Sequence, residues 1–276
     1  MSRTFQFTRH ALAACALAAV TCGPAIAQTF TADEGTVPGA AQNTVTADRI
    51  SFNYAARISQ TNVGGVLDGD DPFTESGYLT KASFATGGAA VDSQLNAFGS
   101  GGYGIYGLFT ITGTASASAA GEINATFMTA ALTLWIDPDK DTTFGFNGAN
   151  EAITTGGTTG DYAIVNYTLQ QGEAFVRAGL AEGDFDTILN VSLTDNGTAL
   201  DGESFFASPR PFYQLENFGG NFQTLTGASL TNSFVASTTG AGTEIFLAPI
   251  PEPETYALML AGLGALGFVA RRRRRV

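Results

Sequence analysis

Short segments alternating apolar and polar residues, dense glycine punctuation and the lack of any long helical period predict an all-β chain. The architecture these observations favour is an antiparallel β-sandwich, jelly-roll-like, followed by one short C-terminal transmembrane helix. Residues 28–249, a stretch of 222 residues, are long enough for one sizeable core. No fixed-period repeat divides them, and no proline-rich or charged linker marks a second domain.

The strands follow in chain order. Ile50, Phe52 and Tyr54 alternate with Ser51 and Asn53. Tyr78, Thr80, Ala82 and Phe84 oppose Leu79, Lys81 and Ser83, and Ile123, Ala125 and Phe127 alternate with Asn124 and Thr126. Leu132, Leu134 and Ile136 continue the period around Trp135, and Leu189, Val191 and Leu193 repeat it. Ile245 and Leu247 suit a last strand. Such alternation buries one face of each strand and leaves the other polar. Only Glu173 to Ala181 suits a short helix, limited by Gly172, Gly179 and Gly183.

Two stretches stand out for possible chemistry. From Ser93 to Phe109 glycines interleave with aromatics, which suits a tight entry into a core strand. Its functional reading is a sugar-stacking platform, for which Tyr103, Tyr106 and Trp135 are the candidates. Asp137, Asp139 and Asp141 stand at alternate positions, as at the start of an oxygen-ligand loop around Ca²⁺. An EF-hand is excluded, because Thr142 occupies the place of its glycine and Gly148 that of its bidentate glutamate. The bland reading is a solvated turn opened by Asp137-Pro138. Asp68, Asp70 and Asp71 form a less ordered acidic cluster. Asn124, Asn166, Asn190 and Asn196 each begin a glycosylation sequon.

The two ends read as processing segments. Arg3, Arg9 and His10 precede an apolar run from Ala11 to Val20, and Ala25-Ile26-Ala27 offers a signal-peptidase exit. Residues 1–27 are therefore expected to be a signal peptide, cleaved after Ala27, and the route is Sec export. At the other end Pro251-Glu252-Pro253 precedes fifteen uncharged residues, 256–270, and then Arg271, Arg272, Arg273, Arg274 and Arg275. The apolar stretch suits a short transmembrane helix crossing the inner membrane transiently, with the arginines on the cytoplasmic side.

Position changes the meaning of the composition. The only cysteines, Cys15 and Cys22, and the only histidine, His10, lie in the signal, and five of 13 basic residues lie in the arginine run. Residues 28–249 hold 23 acidic and 6 basic side chains, a formal net charge of −17. This excludes a disulfide scaffold, a Cys or His zinc site and Cys- or His-based nucleophilic catalysis. A body this acidic also excludes nucleic acid as partner.

Pro251-Glu252-Pro253, the Leu/Ala/Gly helix and the arginine cluster, over residues 250–276, resemble the PEP-CTERM sorting signal of Gram-negative bacteria. The resemblance implies processing by a membrane-embedded exosortase near the Pro-Glu-Pro, then release to the cell surface or extracellular matrix. The stretch 93–109, with Leu134 to Asp139 and Asp141 to Phe144, is similar to the flocculation-associated PEP-CTERM proteins. That likeness implies a role in exopolysaccharide-rich flocs or biofilms and supplies no catalytic residues. The expected function is a non-enzymatic surface or matrix protein associated with exopolysaccharide or cell-surface glycan. It needs no cofactor beyond a structural Ca²⁺. A polysaccharide-active enzyme using a glycosidase-like carboxylate pair and a passive surface protein are the alternatives.

Overall fold

The computed structural model of the chain describes residues 28–97 and 101–247, and the side chain of Asp70 lies outside that description. The signal peptide with Ala25 and Ala27, and the tail with Pro251, Glu252, Pro253 and the arginine run, lie outside the described residues.

The described chain is almost entirely strand. Its elements are β1 (Phe30–Asp33), β2 (Thr44–Ala47), β3 (Arg49–Gln60), β4 (Asp68–Thr86), β5 (Ala89–Ala90), β6 (Gly104–Ala117) and β7 (Ile123–Asp137). They continue with β8 (Thr143–Phe146), β9 (Ala152–Gly156), β10 (Tyr162–Val176), β11 (Glu182–Leu193), the one-turn helix α1 (Gly202–Phe205), β12 (Phe206–Ser208), β13 (Leu215–Gln223) and β14 (Phe234–Leu247).

Eight long strands, β3, β4, β6, β7, β10, β11, β13 and β14, pair antiparallel with their neighbours in chain order. The first and last also pair, Phe234 with Gln60 through Glu244 with Ile50, so the sheet closes on itself. The fold is an up-and-down β-barrel, not the jelly-roll-like sandwich expected from the sequence. The expected period holds on β3, β7 and β11, but a bulge breaks it on β4, where Leu79 is buried with Ala82 and Phe84 while Tyr78 lies outside against Phe144. Alternation shows that one face of each strand is buried. It is silent on whether two sheets face each other or one sheet curls round until its edges meet.

The expected helix at 173–181 is also corrected. Glu173 to Val176 finish β10, and Leu180 and Gly179 adopt positive φ in the turn to β11. No helix among the described residues is long and apolar enough to cross a membrane. The transmembrane segment expected at 256–270 lies outside the described residues, so the structure contributes no such helix to the fold.

Burial alternates along the barrel strands. On β3, Phe52, Tyr54 and Ala56 are buried and point inward, while Asn53 is exposed. Asn124, Thr126, Asp184, Asp186, Asn190, Asn221, Ser237 and Thr239 are exposed on the outer face of other strands. Membrane-spanning barrels present an apolar band outward. Here the polarity runs the other way, so the outer wall is built to face water and the apolar residues fill the inside.

The two ends of the barrel differ. One is closed by the small sheet β12-β1-β2. Phe30 of β1 packs edge-on against Phe84, Phe206 and Phe246, with ring centroids 5.9, 5.6 and 5.2 Å away. Beneath the adjoining 3-10 turn, the buried Glu34 carboxylate accepts from Tyr103 Oη at 3.0 Å, Gln94 N at 2.9 Å and Asn43 Nδ2 at 2.7 Å, and from the Ser93 hydroxyl. A buried carboxylate with this many donors ties the cap to the loop before β6. The other end carries the four hairpin loops at 61–67, 118–122, 177–181 and 224–233.

Candidate functional site

Three places gather chemistry-bearing side chains: the outer aromatic cluster, the sealed half of the barrel and its open half.

On the outer wall the hairpin β8–β9 folds back over β3, β4 and β6. Phe144 stacks on Tyr78 at 5.0 Å and 17°, and its edge meets Tyr106 at 5.2 Å. Arg57 lies 4.7 Å from the Phe146 ring centroid and donates to Asn150 Oδ1 at 3.1 Å, and Ala152 N donates to Ser76 Oγ at 2.9 Å. Tyr106 lies parallel to Trp135, 6.3 Å centroid to centroid and 5° between planes, and its hydroxyl donates to Asp161 at 2.9 Å.

This placement revises the sugar-stacking candidates. Tyr103 is completely buried and hydrogen-bonded to Glu34, and Tyr106 is buried beneath Phe144 and Trp135, so neither ring face is open to a sugar. Trp135 is half-buried. The glycine–aromatic run is a core element, because Gly107 leaves room inside for Leu79, Leu132 and Leu134 while Ile105 points inward.

The calcium candidates are dispersed. Asp137 is buried, and its two oxygens accept the backbone N–H groups of Lys140 at 2.6 Å and Thr142 at 3.0 Å. Asp139 and Asp141 are exposed. Asp137 thus closes a turn, the bland reading of the motif. Among the described residues no group of three His, Cys, Asp or Glu could hold a metal ion. In the second acidic cluster Asp71 also staples a loop, its carboxylate accepting from Val63 N at 2.8 Å and Asp68 N at 3.2 Å.

Inside the barrel, toward the capped end, Glu216 of β13 and Glu244 of β14 are buried beside Tyr167 of β10. The Tyr167 hydroxyl donates to Glu244 Oε1, and the Glu216 carboxyl lies against both Tyr167 and Glu244. Burial is the first cause that pushes both carboxyls above the usual range, and the Glu244 charge adds to the shift of Glu216. Two acids in one dry space favour holding a proton, because two adjacent charges there would repel. Sequence reading missed this pair. Its only signal was an acid on the inward parity of a strand, Glu216 two residues before Phe218 and Glu244 two before Phe246.

Toward the open end the rings stop short of filling the barrel. Tyr54, Phe109, Phe185 and Phe218 meet edge to face across the middle. Beyond them lies an apolar cavity of about 100 Å³, reaching strand-end residues such as Gln60, Val176, Phe222 and Phe234. Among the described residues Glu75 of β4 is the only charged side chain lining it. Burial pushes the Glu75 carboxyl up to about 7. No sequence signal distinguished Glu75 from the surface acids.

Comparisons with known proteins locate the tail, not the barrel. No curated protein matches the chain. Among solved structures it is similar to Ail, the attachment invasion locus protein of Yersinia pestis, at 6% identity and TM-score 0.18, covering 72% of this chain and 98% of that one. The same protein in complex with the heparin analogue sucrose octasulfate gives 8% identity and TM-score 0.15, with the same coverage. Likeness this weak carries no argument about fold or function. Residues 249–275 match the PEP-CTERM protein-sorting motif, which implies export, processing by exosortase and a cell-surface or outer location in Gram-negative bacteria. The chain thus carries a PEP-CTERM sorting motif at its tail, over residues 249–275.

Proposed function

We propose that the chain is a non-enzymatic protein of the extracellular matrix, delivered by exosortase processing, whose barrel associates with exopolysaccharide and supports cohesion of flocs or biofilm. The observation that carries this reading is the sorting tail on a barrel with a water-facing wall. Exposed Thr, Ser and Asn side chains on the wall, such as Thr110, Asn124, Thr126 and Thr239, supply the donors and acceptors that sugar hydroxyls use. The carboxyl pair that the fold brings together, Glu216 and Glu244, is enclosed within the barrel. A polymer chain cannot reach it there, which favours binding over glycosidic cleavage.

The test compares a gene deletion with its complemented strain for floc cohesion, and measures retention of the exported protein on matrix polymer isolated from the same cells. The reading expects looser flocs and saturable retention. Unchanged cohesion with no retention would overturn it, and release of reducing sugar by the protein would move it to the enzymes.

A further inference from the structure

We propose that the barrel binds one small amphiphilic amine, its apolar body in the open-end cavity and its ammonium group against Glu75.

An eight-stranded barrel has an interior just wide enough to be filled by side chains or to hold one small ligand. In this chain both outcomes occur, at opposite ends. The capped half is packed by Phe30, Phe84, Phe206 and Phe246. The open half keeps a cavity of about 100 Å³. One water needs only ~10–15 Å³ on the same measure, and apolar cavities of this kind stay dry while accepting apolar molecules. The lining is Phe, Leu, Ile, Val and Ala almost throughout. Both lining threonine hydroxyls are already occupied, Thr187 Oγ1 donating to Phe218 O at 2.8 Å and Thr238 Oγ1 to Gln223 O at 2.8 Å, and Tyr54 is the remaining hydroxyl of the lining. Gln60 Nε2 likewise donates to the carbonyls of Thr61, Asp71 and Pro72 at 3.2, 3.1 and 3.1 Å.

Glu75 is different. Its carboxyl faces the cavity and has no hydrogen-bond or ion-pair partner among the described residues. A carboxyl held dry and unpartnered is costly, and a ligand that supplies a cationic donor removes that cost. No basic side chain among the described residues lines the cavity, so an anionic headgroup would meet only like charge. The charge of the lining therefore selects an amine over a fatty acid. At the same end the 61–67 loop leaves Val63 and Val66 81% and 58% exposed. Two open valines beside an apolar cavity give an apolar molecule a first contact.

The experiment uses the exported protein purified from cell surfaces without detergent, since a detergent would compete for the cavity. Octylamine, 1-octanol and octanoate are titrated calorimetrically at pH 8. The expected result is one octylamine per chain, bound about tenfold or more tighter than 1-octanol, with octanoate weakest. Glu75→Gln should lose the preference for the amine yet still take up 1-octanol, which also shows that the variant has kept its cavity. Ala174→Phe, which fills the cavity from β10, should abolish uptake of both while leaving the β-sheet circular dichroism unchanged. No uptake of any of the three, equal affinity for amine and alcohol, or an amine preference that survives Glu75→Gln would each overturn the proposal. None of these outcomes depends on whether the protein binds exopolysaccharide.

Discussion

Tyr167 donates a hydrogen bond to Glu244 inside the barrel, and Glu216 on the neighbouring strand is buried against both of them. The relationship places a polar knot in the packed half of a core that is otherwise aromatic and aliphatic. Burial raises both carboxyls, so the folded state holds their protons to higher pH than the unfolded chain does. Stability from this pair is complete below the ordinary carboxylate range and declines as pH rises through the raised values. Glu216→Gln keeps the shape and removes one ionisation. The variant should be more stable than the parent at pH 8, by about 1–3 kcal/mol, and closer to it at pH 5, read from urea midpoints.

Glu75 has the same sign in a defined window. Its carboxyl moves from about 4.5 in the unfolded chain to about 7 in the barrel. The empty protein should therefore lose stability between those values as pH rises. Following the Glu75 side chain by NMR should show titration near 7, and addition of octylamine should move that titration down.

The Glu34 carboxylate holds the cap through donors from Tyr103, Gln94, Asn43 and Ser93. Glu34→Ala strands several of these in a dry space and should cost about 3 kcal/mol or more. Tyr103→Phe removes a single donor and should cost about 1 kcal/mol. Urea denaturation of both variants checks the ordering.

Gly113 stands where β6 crosses the Thr126 carbonyl, and a Cβ there would also come within 2.8 Å of Phe73 Cε1. Neither neighbour has room to yield, one being backbone and the other a buried ring. Gly113→Ala should therefore destabilise by about 1–3 kcal/mol, although alanine ordinarily favours an extended strand over glycine. Thermal melts decide it, and an unchanged midpoint would contradict the close approach.

The β8–β9 hairpin touches the barrel mainly through Phe144, Phe146 and Arg57. Phe144→Ala should free it without opening the barrel. Limited proteolysis should then cut within residues 143–156 sooner than in the parent, with the urea midpoint of the barrel shifted by less than about 1 kcal/mol.

Local sequence carried a good deal of this protein. The alternation at 50–54, 123–127, 132–136 and 189–193 falls in β3, β7 and β11, because burial of one strand face imposes a period of two on any β architecture, whereas the bulge in β4 breaks the expected period at 78–84. The tail was legible for a different reason. A sorting signal must be read as a linear string, so its Pro-Glu-Pro, apolar stretch and arginines sit together in sequence, and residues 249–275 match the motif. Tertiary structure alone decided the rest. Closure depends on β3 meeting β14, with Gln60 opposite Phe234, and no local pattern records which two edges join. The same closure sorts the acids. Asp137 and Asp71 spend their oxygens on backbone N–H groups, while Glu75, Glu216 and Glu244 are turned inward. Inward and outward carboxylates are the same letter in a sequence, and only the closed wall makes one dry and the other wet.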